Sequence, residues 1–330
     1  MIEEVLVTAR ANPAVDPVLN VWHWEVPVYL FLGGLTAGIM VFAALMVLLR
    51  KQEQATFAVN RLALWAPIAL SAGMGALFLD LEHKLFVWRF YTAFEPTSPM
   101  SWGAWILVFV YPVSALQVLS TLRAGYPTLA GWLERVPGAG GVLDFCERHR
   151  RGIAAWTLPF AVALGIYTGI LLSALSARPF WNTGVLGPLF LVSGLSTAAA
   201  LVVLAARRHG EKHLFTRIDV GLIVAELVLV ALLVVSLTTG TRVHLEAAGH
   251  ILGGDYTLLF WGAFVGLGLL LPLLLEWREL RGGRTLVFLG PLLVIVGGYM
   301  LRHVTVELGQ LTTWTDYAMQ VDPTLLDKLR

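Results

Sequence analysis

A histidine and a carboxylate, His23 and Glu25, stand among the tryptophans of WHWEVPVYLFLGGLTAG, where a long apolar run begins. Imidazole titrates near neutral pH, so His23 can take or deliver a proton while a nearby oxygen changes redox state. An interfacial histidine satisfied by headgroups or a neighbouring helix accounts for it equally well. Trp22 and Trp24 fit a membrane–water boundary, because an indole is apolar at one end and hydrogen-bonds at the other. Further along, Asp80 closes an uninterrupted apolar segment, where an ionised group is costly unless paired or functional. Its plainest role is an ion pair with Arg89 or Arg178. Arg178 and Asn182 flank Trp181 in a short loop, where the guanidinium can bind a carboxylate, an aromatic face or an anionic lipid. Simple loop chemistry suffices there as well.

Tyr167 lies inside an apolar helix, and its hydroxyl needs a partner, from a neighbouring helix in most cases and from a ligand in a few. Asp219 and Glu226 share one helix face, seven residues apart. Asp219 can cap a helix beside Arg217. Glu226 is deeper, and a mid-membrane carboxylate points to a proton path or a protonated structural acid. His209 and His213, four apart, permit a metal ion but read first as a solvated basic stretch. No metal centre is expected. The eight histidines fall at expected helix ends or in loops, unlike the intrahelical imidazoles that ligate a membrane haem.

The elements that must position these groups are transmembrane helices. Of 330 residues, 57% are hydrophobic and 14% charged, with mean hydropathy +0.74. Soluble domains carry about a quarter charged residues, so the composition is that of a membrane protein. A net charge of +1 gives no reason to expect a nucleic-acid partner. The single cysteine, Cys146, excludes a disulfide framework and any cysteine-ligated iron–sulfur cluster held by this chain alone. The first residues lack the basic start and short apolar core of a cleaved signal peptide, which predicts a short surface segment of the mature protein.

A spanning helix needs roughly 20 apolar residues. Eight segments qualify, at about 26–49, 62–81, 102–122, 153–175, 185–206, 218–239, 257–275 and 285–301. Gly33, Gly34 and Gly38 form a small face on the first, where another helix can approach closely. The long connection 123–152 sets four helices before it or at its end and four after. The connections on the side of both termini carry 8 Lys/Arg (Arg10, Lys84, Arg89, Arg178, Arg242, Arg302, Lys328 and Arg330), and those on the other side 15. The excess of basic residues in cytoplasmic loops therefore puts both termini outside, in the periplasm of a bacterium. The unusual polar residues gather on that outer side.

Four stretches carry a family likeness: WHWEVPVYLFLGGLTAG, DLEHKLFVWRFYTAFEPTSPMSWGAWIL, YTGILLSALSARPFWNTGVLGPLFLVSGLSTAAAL and GGYMLRHVTVELGQ. In order and over nearly the whole membrane region, the chain resembles the NrfD-like membrane subunits, of which the polysulfide reductase subunit is the best-known type. The resemblance implies an all-α integral membrane fold, eight helices arranged as two four-helix bundles (26–175 and 176–301), between an outer segment 1–25 and an outer tail 302–330. It implies residence in the bacterial inner membrane. It also implies a quinone or quinol (menaquinone or ubiquinone) bound near the outer surface of the first bundle, with neither haem nor iron–sulfur cluster in this chain. His23 and Tyr167 occupy the positions of its implied partners. Asp80 and Arg178 lie in matched motifs, with Glu25, Trp22 and Asn182 beside them. The implied partner is a ferredoxin-like iron–sulfur subunit, and through it a molybdopterin or cytochrome catalytic subunit.

Quinone chemistry suits such a site, since its carbonyls need donors and take up protons on reduction. Membrane lipid would surround the spans. Two other functions compete: a passive anchor for a soluble redox partner, and a proton-conducting membrane protein using Glu226 and Asp219.

Overall fold

The computed structural model describes residues 21–51, 53–283 and 288–313. Arg10, Lys328, Arg330 and most of the expected terminal segments lie outside them. Among the described residues, eight helices are long and apolar enough to cross a membrane: α1 (Glu25–Leu48), α2 (Leu62–Asp80), α3 (Pro99–Leu119), α4 (Arg150–Ser173), α5 (Leu186–Ala205), α6 (His209–Thr238), α7 (Leu258–Leu280) and α8 (Leu289–Leu311). Among the described residues there is no strand. This follows from the composition, because in hydrocarbon a helix satisfies its own backbone N–H and C=O groups. Pro99 opens α3 at a position where its missing N–H costs nothing. The first 13 residues of α7 form wide π-type turns.

Three helices extend past their expected limits, because each apolar run is read as ending at its first charged residue. α6 starts at His209, so His209 and His213 lie in its opening turns rather than in a loop. α7 continues through Glu276. α8 continues to Leu311, which places Arg302 and His303 inside a helix. Arg302 is 0% exposed and is no surface charge.

α1 is the hub. It packs on α2 and α4, almost as extensively on α5 of the later half, and more lightly on α8. α4 also meets α3 and α5, while α5, α6, α7 and α8 pack in sequence, with α8 returning to α5. α2 and α3 barely touch. The hub depends on small residues. A β-carbon on Gly38 would lie 2.6 Å from Ala198 Cβ, and one on Gly194 would lie 2.8 Å from the Gly34 carbonyl carbon. The expected division into two bundles is not resolved by this packing, since both main apolar clusters draw on both halves. One includes Met40, Leu164 and Val203, the other Leu30, Phe264 and Val304.

Alternate spans reverse direction, so the molecule has a His23 end and an Arg123 end. At the Arg123 end, residues 122–148 form a cap of short helices. Arg123 holds Glu134 at 2.7 Å, Asp144 at 2.5 Å and Glu147 at 3.2 Å. The Glu211 carboxylate accepts the N–H groups of Phe57 and Ala58 at 3.1 and 2.9 Å, tying the start of α6 to the connection after α1. At the His23 end, residues 82–90 are exposed apart from Val87, including Leu85 and Trp88, and run without long helices from α2 to α3.

Candidate functional site

α1 enters the fold through a clamp. Gln310 of α8 accepts the N–H groups of Val21 and Trp22 at 3.1 and 2.9 Å and donates to the Trp22 carbonyl at 2.8 Å. Trp22 stacks on Trp181, with centroids 5.1 Å apart, and the Trp181 indole donates to Thr305 O at 2.7 Å. The segment just before α1 is thus pinned on the α8 side, and Trp22 serves this packing. Trp24 is exposed.

His23 is exposed, Glu25 is half-buried at the first position of α1, and Asp80 is half-buried at the last position of α2. Asp80 lies within electrostatic reach of both Glu25 and His23. The expected ion pair with Arg89 does not form: the Arg89 guanidinium lies over the rings of Phe86 and Trp88, at 4.7 and 5.7 Å. Three of the residues singled out in the sequence therefore converge on one lip, between α1 and α2. Glu25 Oε2 is buried there and has no hydrogen-bond partner.

Tyr167 is placed deeper. It is 6% exposed on α4, its ring fills the space a side chain at position 103 would take, and it engages the Gly103 backbone of α3. Tyr29 of α1 is its electrostatic neighbour. Tyr29 in turn faces Tyr91, and Tyr91 faces Tyr111. Burial, with Tyr111 adding to it, pushes the Tyr91 hydroxyl above the usual tyrosine range. Tyr111 approaches Ser71 of α2 at 3.4 Å. Tyr29, Tyr91 and Tyr111 carry no signal in the sequence, unlike Tyr167, because an aromatic among apolar neighbours reads as core. On α3, the buried Trp105 indole nitrogen has no acceptor.

The remaining residues lie elsewhere. Arg178 is buried at 6% exposure in the loop before α5, and Asn182 is exposed, its N–H donating to Arg178 O at 3.1 Å. Asp219 and Glu226 are 0% and 1% exposed, inside the packing of α5, α6, α7 and α8. Cys146 is buried in the Arg123-end cap, and burial raises its thiol pKa. Among the described residues, no group of three or more His, Cys, Asp or Glu side chains could hold a metal ion.

A quinone fits the His23 end on two observations. A buried carboxylate oxygen there lacks a partner, and the buried hydroxyl-bearing side chains Tyr29 and Tyr167 neighbour each other near the same end, where α2 and α3 pack little on one another.

The eight spans and this lip define a multi-pass helical membrane protein with a polar site at one end. The family model described as "Polysulphide reductase, NrfD" matches residues 12–313, and the protein belongs to that family. Protein NrfD of Escherichia coli K12 is 32% identical over 306 residues, covering 88% of this chain and 96% of that protein. A polysulfide reductase chain of Wolinella succinogenes is 29% identical over 304 residues, covering 88% and 94%. A selenate reductase subunit of Mesobacillus selenatarsenatis is 25% identical over 324 residues, covering 86% and 73%.

Proposed function

We propose that this protein is the membrane subunit of a multisubunit reductase and exchanges electrons between a quinone, held at the His23 end, and an iron–sulfur partner docked at that end. The observation that carries the reading is the convergence of His23, Glu25 and Asp80 on one lip, with a buried Glu25 oxygen left without a partner. Relatives named as components of polysulfide and selenate reductases support membership of such a complex.

In this reading His23 and Tyr167 donate to the quinone carbonyls from the lip and from below it. Glu25 and Asp80 move protons between His23 and water, and both are half-exposed enough to do so. When bound, the quinone supplies the redox chemistry that no side chain of this protein provides. One cysteine cannot ligate a cluster, so electrons pass to a neighbouring subunit. Basic residues favour the Arg123 end more strongly once buried Arg302 is removed from the surface count, which supports a periplasmic His23 end in a bacterial inner membrane.

The test is quinone-linked turnover of the native complex carrying His23→Ala or Tyr167→Phe. Each substitution lowers turnover by roughly a hundredfold or more, the scale of lost general acid–base assistance, while the complex still assembles. Full turnover in both variants would overturn the site.

A further inference from the structure

Residues 122–151, at the Arg123 end, take no part in the lip and carry apolar side chains that no described residue covers. The segment folds on a small core of its own, with Leu122, Ala130 and Leu143 buried against the end of α3. The helix Pro127–Leu133 leaves Leu129 and Trp132 exposed, and the helix Ala139–Arg148 leaves Val142 and Phe145 exposed. Residues three apart share a helix face, so each helix presents an apolar pair. Val136, between the two helices, is exposed as well. Trp132 is 69% exposed, and so is Trp156 on α4, about 9 Å along the axis from the start of that span. Exposed apolar clusters of this kind mark contact with a protein or a membrane.

The charges around the cluster decide between the two. The segment contains three carboxylates, Glu134, Asp144 and Glu147, and Arg123 binds all of them. Glu134 and Glu147 each follow an exposed aromatic by two residues, which puts them on the far side of their helices at about 100° per residue. The ion-paired side of the cap is thus separate from its apolar side. Arg150 is also engaged, donating to Val59 O at 2.7 Å and Asn60 Oδ1 at 3.0 Å. Arg135, Arg148 and Arg151 are exposed, and the Arg135 guanidinium lies 4.9 Å over the Trp132 ring. The charge left outward is cationic, with no carboxylate of the segment to offset it. Aromatic and aliphatic side chains beside free arginines, next to the ends of spanning helices, match the boundary of acyl chains and headgroups. Through Trp156 the apolar exposure also continues onto a span, where a water-soluble partner cannot follow it.

We propose that the cap is a binding site for anionic phospholipid. Its apolar face enters the acyl boundary, and Arg135, Arg148 and Arg151 hold the headgroup phosphates. Arginine suits this task, because its planar fork gives paired N–H donors to phosphate oxygens. Arg123 is a positioning residue here: by occupying all three carboxylates it keeps negative charge away from the lipid. The site lies at the opposite end from the lip and is independent of the quinone reading.

The test uses the full-length protein in phosphatidylcholine vesicles containing a trace of phosphatidylglycerol with a photoreactive headgroup. After illumination, modified peptides are mapped by mass spectrometry. Labelling concentrates in residues 129–151, and added unmodified phosphatidylglycerol suppresses it although the host lipid is already in excess. Substituting Arg135→Gln, Arg148→Gln and Arg151→Gln together lowers it by roughly fivefold for each arginine removed, the scale for a basic residue near an anionic surface. These arginines are exposed, and unchanged labelling of the other lipid-facing spans shows that the variant is folded. A phosphatidylglycerol probe carrying its photoreactive group on the acyl chain labels the peptides containing Trp132 and Phe145. Headgroup labelling that added phosphatidylglycerol or the triple substitution leaves unchanged would overturn the proposal, as would an acyl-chain probe that reaches neither aromatic.

Discussion

The two polar regions of this protein differ in how water reaches them. The lip groups, His23, Glu25 and Asp80, are exposed or half-buried and border a connection that is itself largely exposed. The core string, Arg302, Glu226, Asp219 and Glu276, is sealed at 0–1% exposure and secured by serines and backbone carbonyls. Groups at an open lip can exchange a ligand and its protons with the surroundings. Groups in a sealed core can exchange little but protons with each other, and each holds its neighbours in place. Substitutions should therefore damage function at the lip and folding in the core.

The largest effect is expected at Arg302. Arg302→Met leaves Glu226 without its facing charge and Ser193 without its donor. Leaving a buried charge without the opposite charge that faces it costs on the order of 3–5 kcal/mol, so little folded protein should be recovered by size-exclusion chromatography in detergent. Adding Glu226→Gln should restore part of that yield, because the stranded charge is gone. Wild-type yield from Arg302→Met alone would break the contrast between the two regions. His23→Ala and Tyr167→Phe come next, lowering turnover without loss of assembly as described above. The smallest effect is expected at Arg123. Its contacts with Glu134, Asp144 and Glu147 lie at the solvent-facing cap, where screened ion pairs contribute little. Arg123→Ala should leave both turnover and thermal midpoint near wild type; a large loss in either would mean that the cap supports the core.

The sequence revealed one region far better than the other, for a physical reason. Eight spans and the polar start of α1 were legible, because long apolar runs and an aromatic boundary are strong signals. Gly34 and Gly38 were legible as a close-approach face and meet α5 at Gly194. Glu226 stood out as a deep acid. Glu276 and Arg302 did not, since an apolar run is read as ending at its first charge, and these charges are offset inside the fold by partners from other helices. Ser193 and Ser196 looked like ordinary small residues of α5, and only the tertiary packing gives their hydroxyls partners. Tyr29 and Tyr91 were hidden likewise. The Asp80–Arg89 pairing failed because ring faces closer in sequence took the guanidinium.

The central claim, a quinone held at the His23 end, is tested most directly by photolabelling the native complex with an azidoquinone and mapping the modified peptides by mass spectrometry. The account predicts saturable labelling of peptides containing residues 22–29, 80–91 or 167, suppressed by excess unmodified quinone and weakened by His23→Ala. Saturable labelling confined to α6, α7 or α8, with those peptides unmodified, would contradict it.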